Sequence, residues 1–162
     1  MTVTRNITAT YKGPGRVVNG LLALGQREDR ALAYLMAGCL VVFISQMPRL
    51  ARQAHLTGED LNMLMGATLL AWIFIAPLAF YCVASLSRLI AKLFKGKGTA
   101  YGARLALFWA LLASSPLMLL NGLVAGFIGP GVELQVVGFL WFACFVWFWI
   151  GGLIASERPL PQ

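Results

Sequence analysis

The sequence offers few side chains that could act as nucleophiles, bases or metal ligands. His55 is the only histidine, and it lies near Arg52 between two apolar stretches. The cysteines Cys39, Cys82 and Cys144 lie in three different apolar stretches and form no CxxC pair. Isolated cysteines of this kind behave as small apolar side chains, whereas zinc sites and disulfide frameworks need grouped ligands. We therefore expect no catalytic residue, no metal site and no cofactor.

The segment Lys95-Gly96-Lys97-Gly98-Thr99 resembles a phosphate-binding loop only superficially. A Walker A loop has the pattern GxxxxGK[ST] and follows a strand, and this segment meets neither condition. We interpret it as a flexible basic turn between two membrane helices. It belongs to a basic cluster for which we predict contact with anionic lipid headgroups or with an acidic partner. The members of this cluster are Arg88, Lys92, Lys95, Lys97 and Arg104.

Polar residues and prolines inside the apolar stretches form a second group. Ser114 and Ser115 precede Pro116, so their hydroxyls can bond backbone groups that the proline leaves free. Such helix repair is the simpler interpretation, and a substrate-contacting kink is the alternative. Asn121 lies further along the same stretch, and Pro77 predicts a second kink, a pairing that points weakly to a transporter.

Gly122 and Gly126 form a GxxxG motif in the same apolar stretch. Small residues at this spacing allow two helix backbones to approach closely. We expect helix packing here and leave homodimerisation open.

The composition indicates that the protein folds in a lipid bilayer. Of the 162 residues, 59% are hydrophobic and 12% are charged, whereas soluble domains average about 25% charged. A lipid environment accommodates this excess of apolar surface. The net charge of +7 comes without a nucleic-acid-binding signature, so we expect no nucleic acid partner.

Four long intervals without charge predict four membrane-spanning helices. A hydrocarbon core of about 30 Å needs roughly 20 helical residues, and the intervals are near or above that length. The predicted spans are about 31–48, 62–86, 104–128 and 134–155. The third interval contains Pro116, and we favour one helix over a re-entrant hairpin because two full spans need about 40 residues. Thr57 is expected to cap the second span, with Glu59 and Asp60 beside it.

The distribution of basic residues predicts the orientation. Eleven of the 13 Lys and Arg residues lie in the N-terminal segment, the loop after span two or the C-terminal tail, and only Arg49 and Arg52 lie on the other side. The positive-inside rule then places both termini in the cytoplasm. The predicted fold is an all-α, polytopic transmembrane helical bundle with four spans, N-in/C-in. Its parts are a cytoplasmic segment 1–30, a membrane domain 31–155 and a cytoplasmic tail 156–162.

The N-terminal segment contains a short amphipathic stretch. One helix face carries Val17, Val18, Leu21 and Leu22, and the other carries Arg16, Asn19 and Gln26. We predict a helix lying in the cytoplasmic interface; an ordered linker without membrane contact is the alternative.

The run LFKGKGTAY (residues 93–101), followed by an apolar segment 105–120 that contains Pro116, resembles the Yip family. These are small polytopic proteins named for their interaction with Rab-type GTPases. Bacterial members share a Gly-x-Gly-[Ser/Thr] turn and then a span with a proline near its middle. The resemblance covers about residues 30–155 and implies membrane organisation or scaffolding in a bacterial inner membrane.

Two departures limit what the resemblance implies. The family usually has five spans, whereas four are predicted here, and the acidic-tyrosine motif of eukaryotic members is missing. Rab binding and vesicle traffic are therefore not carried over, and no residue inherits a catalytic or binding role.

Among function classes, we favour a non-enzymatic scaffold or accessory subunit, because no charge interrupts any predicted span. A small transporter or channel component acting as an oligomer is the alternative. An enzyme is not expected, since no nucleophile–base pair can be assembled. The expected partners are membrane lipids, with anionic headgroups on the cytoplasmic side; a membrane-protein partner or a homo-oligomer is left open. The expected location is the inner membrane, as a multi-pass protein.

Overall fold

The computed structural model describes residues 2–158, and regular structure in this range is entirely helical. The elements are α1 (Val3–Thr10), α2 (Pro14–Ala23), α3 (Glu28–Thr57), α4 (Leu61–Leu70), a π-helical turn (Ala71–Ile75), α5 (Ala76–Leu93), α6 (Ala100–Phe127) and α7 (Val132–Glu157). Four helices are long and apolar enough to cross a membrane: α3, the continuous helix Leu61–Leu93, α6 and α7. We number these helices spans one to four. The predicted all-α fold with four spans is confirmed.

The first span is longer than the hydropathy pattern suggested. The helix continues through Pro48 to Thr57 and ends at Gly58, whose φ of 72° is left-handed. The residues after Pro48 read Arg-Leu-Ala-Arg-Gln-Ala, which lack a long apolar run but favour helix. Apolarity ends where the membrane is expected to end, whereas the helix ends at a glycine.

The cap of the second span differs from the prediction. Asp60 is the N-cap, and its carboxylate accepts the Asn62 N–H at 2.9 Å. The expectation that Thr57 caps this helix was wrong, because Thr57 ends the first span and its hydroxyl donates to the Gln53 carbonyl at 2.8 Å. Gly58 turns the chain between Thr57, which ends the first span, and Asp60, which caps the second.

The third span is a single helix through Pro116, as favoured over a hairpin. Its first half forms the centre of the core: every residue from Leu105 to Ala113 is at most 6% exposed. The third span packs most extensively against the first and fourth spans. The second span lies at the periphery, and α4 and the π-helical turn contain no buried residue.

The N-terminal segment folds into two short helices that pack on the bundle. α2 is helical as predicted, and it lies against the fourth span, with Gly15 beside Gly151 and Val18 beside Gly152. Glycines on both sides allow the two backbones to come close. α2 is therefore fixed by tertiary contacts with α7.

Long-range contacts show which segments share an end of the bundle. Arg104 pairs with Glu28, which joins the starts of the third and first spans. Arg88 pairs with Glu157 at 3.1 Å, which joins the ends of the second and fourth spans. One end therefore carries both termini of the four-span unit and the loop 94–99. Of the predicted C-terminal tail, residues 159–162 lie outside the described residues.

Candidate functional site

The serines before Pro116 bond their own helix. Ser115 Oγ donates to the Leu112 carbonyl at 2.6 Å, and Ser114 Oγ donates to the Leu111 carbonyl at 3.1 Å. Leu112 lies four residues before Pro116, so its carbonyl is the acceptor that the missing proline N–H would have reached. Both serines are buried, and their hydroxyls serve the helix backbone.

The same region is held from outside by the N-terminal segment. The Tyr11 hydroxyl donates to the Ala113 carbonyl at 2.9 Å, and the Tyr11 ring packs edge-on against Phe148 at a centroid distance of 4.9 Å. Beside it, Trp109 Nε1 donates to the hydroxyl of Thr10, a fully buried residue, at 3.0 Å. Burial raises the pKa of Tyr11 above its ordinary value.

The sequence analysis did not predict the hydrogen bonds of Thr10 and Tyr11 to the third span. Thr10 and Tyr11 lie 99 and 102 residues from their partners along the chain. Neither residue stands out in the sequence, because the amphipathic pattern begins only after them. Trp109 lies nine residues after Ala100, the first residue of the third span, which corresponds to about 13 Å along the helix. The turn between α1 and α2 therefore contacts the third span at this depth.

Pro77 lies directly after the π-helical turn in the second span. The Ala76 N–H bonds the Ala71 carbonyl five residues earlier, in the π pattern. A π turn next to a proline accommodates the missing N–H by changing the bonding register. Pro77 and Pro116 thus lie in different local settings, the first after a π turn and the second beside serine hydroxyls.

The GxxxG motif packs within the chain. A Cβ on Gly122 would overlap the backbone carbonyl of Ser45, and one on Gly126 would overlap the Cβ of Pro48. The two glycines therefore place the third span directly on the first. Pro48, which the sequence analysis took as the end of a span, is the surface that receives Gly126.

The end of the third span is closed by a cation. Arg52 Nη1 donates to the Gly126 carbonyl at 3.3 Å, and the guanidinium lies against Gly129, whose φ is 88°. A positive charge at a helix C-terminus stabilises the free carbonyls and the dipole.

In the loop beyond the first span, hydrogen bonds from Gln53 and Thr57 lower the pKa of Glu59.

Asn121 lines a small cavity between the first, third and fourth spans. The cavity has a volume of about 160 Å³, and its polar lining comes from Asn121, Gln46 and Arg49. The Asn121 Oδ1 is buried and accepts no hydrogen bond within residues 2–158. A neighbouring cavity of about 330 Å³ shares Gln46 and Arg49 and extends to Thr68 on the second span. The predicted polar line is therefore split: Asn121 faces a cavity, and the two serines do not.

The basic cluster divides into paired and free residues. Arg88 donates to the Glu157 carboxylate, which also accepts the Gly98 N–H at 2.7 Å. The side chains of Arg88 and Glu157 are 23% and 14% exposed, so this ion pair is partly shielded from water. Arg104 pairs with Glu28. Lys92, Lys95 and Lys97 are exposed and form no ion pair within residues 2–158.

The glycine-rich turn therefore encloses a carboxylate. A Cβ on Gly96 would overlap Glu157, and one on Gly98 would lie 2.6 Å from the Ser156 carbonyl oxygen. The turn needs glycine because the end of the fourth span passes so close to its backbone.

Within residues 2–158, no three or more His, Cys, Asp or Glu side chains are grouped so that they could hold a metal ion. No family model matches the chain, and no similar curated protein or solved structure was found.

Proposed function

We propose that this chain is a non-enzymatic scaffold or accessory subunit that holds a membrane-protein partner in a bacterial inner membrane, in the manner that its resemblance to Yip proteins implies. The observation that carries the proposal is the difference in burial between the spans. In the most apolar stretch of each span, 39% and 56% of residues are buried in the first and third, against 6% and 11% in the second and fourth.

The packed centre favours a structural role. The third span is enclosed from Leu105 to Ala113, and the serines that could have lined a path bond their own backbone. Closely packed interiors have low compressibility and transmit strain. The second and fourth spans leave most of the apolar surface in their most apolar stretches to lipid or to another helix.

We assign the partner contact to the second span. Phe74 is 63% exposed and Leu78 is 70% exposed on this helix. Phe74 lies within the π-helical turn and Leu78 directly follows Pro77. A π-helical turn is a local irregularity of the kind that often marks functional positions. The bulge gives this surface a shape that a regular helix lacks, which supplies specificity to a packing contact.

The proposed orientation places both termini and the loop 94–99 in the cytoplasm. The segments before span one, between spans two and three, and after span four contain eleven of the 13 basic residues, which supports this direction by the positive-inside rule. Lys92, Lys95 and Lys97 would then face the anionic cytoplasmic leaflet.

Site-specific photocrosslinking in cells tests the scaffold. A photoreactive amino acid is placed at Leu78 in the second span or at Phe139 in the fourth, which is similarly exposed at 75%. We expect a discrete crosslinked protein from Leu78 and only lipid adducts from Phe139. Crosslinks from neither position, in cells that express the protein at its native level, would contradict the proposal.

The polar cavities support a second candidate, a small transporter or channel component acting as an oligomer. Gln46, Arg49 and Asn121 place hydrogen-bonding groups in an otherwise apolar region, and such groups mark substrate paths in membrane proteins. Proteoliposomes that contain the purified chain would be tested for uptake of glycerol and urea by light scattering. Faster uptake that Asn121→Leu abolishes would favour the transporter over the scaffold.

A further inference from the structure

A groove lies between α1, α2 and the start of the first span. It has a volume of about 360 Å³ and is larger than the cavity at Asn121. Its walls come from three elements, with Tyr34 contributed by the first span. The lining residues are Val3, Asn6, Ala9, Arg16, Val17, Gly20, Leu21, Leu24 and Tyr34.

The groove combines an apolar wall with two polar groups. Leu24 is 63% exposed and Val3 is 44% exposed, although both lie outside the four spans. Contiguous exposed apolar surface with polar groups at its rim is typical of ligand-binding grooves and of surfaces that contact a membrane. The polar groups are the guanidinium of Arg16 and the amide of Asn6.

The charge around the groove has one sign. α1 and α2 carry Arg5 and Arg16, Lys12 lies in the turn between them, and residues 2–23 contain no acid. Arg16 has no carboxylate within ion-pair distance among residues 2–158. An uncompensated guanidinium at an apolar groove matches a ligand with an acyl chain and an anionic head.

The position of the groove fits a molecule drawn from the bilayer. Tyr34 packs edge-on against Trp109 at a centroid distance of 5.0 Å, and Trp109 lies within the third span. The wall of the groove is therefore continuous with the membrane-spanning bundle. A lipid in the adjacent leaflet can reach it with its acyl chain still in an apolar environment.

We propose that this groove binds one anionic phospholipid, with its acyl chain against Val17, Leu21 and Leu24 and its phosphate oxygens accepting hydrogen bonds from Arg16 and Asn6. The site differs from the basic loop 94–99, which offers lysines without an apolar groove. It is also independent of the scaffold proposal, because it uses α1 and α2 and leaves the face of the second span free.

Gly20 allows the groove to be filled without disturbing the fold. Gly20 lines the groove, and a Cβ built there meets no atom within 4 Å. Gly66 in the second span is also helical and equally open, but it lies elsewhere. Leucine at either position replaces a helical glycine and raises helix propensity. Gly66→Leu is therefore a matched control for Gly20→Leu.

Native mass spectrometry of the full, delipidated chain tests the site, with dioleoyl phosphatidylglycerol and dioleoyl phosphatidylcholine as probes. We expect the wild type and Gly66→Leu to retain one phosphatidylglycerol and Gly20→Leu to bind it about tenfold more weakly. Arg16→Gln should also weaken phosphatidylglycerol about tenfold, since a hydrogen bond to a charged group contributes about that factor. Phosphatidylcholine carries a quaternary ammonium that offsets its phosphate charge, so we expect it to bind the wild type more weakly than phosphatidylglycerol and to lose less affinity in Arg16→Gln. Arg5→Gln, outside the groove, should resemble the wild type.

Three results would overturn the proposal. Equal retention of phosphatidylglycerol by Gly20→Leu and Gly66→Leu would place the lipid elsewhere. Equal binding of the two lipids by the wild type would remove the role of Arg16. Displacement of phosphatidylglycerol by millimolar inorganic phosphate would indicate an anion site that does not need the acyl chain. Melting temperatures of all variants, measured in the same detergent, separate loss of binding from loss of folding.

Discussion

At the scale of single residues, the structure uses its few polar side chains to satisfy backbone. The carbonyls near Pro116 are bonded by Ser115 from the same helix and by Tyr11 from the N-terminal segment. An unsatisfied carbonyl in an apolar environment costs free energy. Residues that looked like a polar line through the membrane are therefore mostly structural, with Asn121 as the exception.

Removing the Tyr11 hydroxyl should show its contribution. Tyr11→Phe keeps the ring against Phe148 but leaves the Ala113 carbonyl without this donor. We expect the free energy of unfolding to fall by about 1 kcal/mol, measured by detergent-induced unfolding. Tyr81→Phe is the control, because Tyr81 makes a similar edge contact with Phe108 and no hydrogen bond of its hydroxyl is found within residues 2–158. An equal loss in both variants would show that the hydrogen bond contributes nothing.

The Glu157 carboxylate is a second single residue with a structural role, at the loop 94–99. Glu157 accepts hydrogen bonds from Arg88 and from the Gly98 backbone. Glu157→Gln keeps the shape of the side chain and removes its charge. We expect the free energy of unfolding to fall by about 1–2 kcal/mol, which is less than for a fully buried ion pair because this pair is partly exposed. Faster tryptic cleavage after Lys95 and Lys97 would report the loosened loop. Glu133→Gln, an exposed acid at the other end, should leave the cleavage rate unchanged.

At the scale of elements, the contact between the first and third spans organises the bundle. Gly122 lies on the Ser45 carbonyl and Gly126 on Pro48. Helices in lipid associate through packing of this kind, because burial in a bilayer adds little hydrophobic driving force. The GxxxG face is therefore occupied inside the chain, which directs any partner to the second or fourth span.

A single methyl group tests this contact. Gly122→Ala places a Cβ against the backbone of Ser45, which, unlike a side chain, has no other rotamer to adopt. Overpacking of this kind lowers the free energy of unfolding by about 1–3 kcal/mol. We expect lower thermal stability in detergent and a shift in the distance between the two spans, measured by spin labels. Gly138→Ala is the control, since its Cβ would meet only Asn121 at 4.0 Å. Unchanged stability of Gly122→Ala would mean that the first span can move aside.

At the scale of the whole molecule, one end of the bundle carries the start of the first span, the end of the fourth span and the loop 94–99. The arrangement follows from an even number of spans joined by short connections. Contacts at this end involve Glu28 and Glu157, each bonded to an arginine from another element. The opposite end carries the turn after the first span and the turn at Gly129.

Cysteine labelling checks the proposed direction of the molecule. Lys97→Cys and Pro130→Cys each introduce an exposed thiol at opposite ends. With a membrane-impermeant maleimide applied to intact spheroplasts, we expect labelling at position 130 and none at position 97 until the membrane is opened. The native thiols provide the background, measured in the unsubstituted protein. The reverse pattern would invert the orientation.

The number of spans and their helical nature were determined by the sequence alone. Apolar stretches between charges are long enough to cross a bilayer, and backbone in lipid must bond within its own helix. The role of Ser115 was also predictable, because a serine beside a proline can reach the freed carbonyl along the same helix. These are local relations, and local relations are legible in a sequence.

Only the tertiary structure decided which residues meet across the chain. Tyr11 bonds Ala113 over 102 residues, Arg88 meets Glu157 over 69, and Gly126 lies on Pro48. No spacing rule encodes these pairs, because they depend on how the spans are arranged around the third one. For the same reason the groove at Arg16 and Tyr34 could not be foreseen: its walls come from three separate elements. Arg16 is visible in the sequence, but only packing places it beside the apolar side chains of the groove.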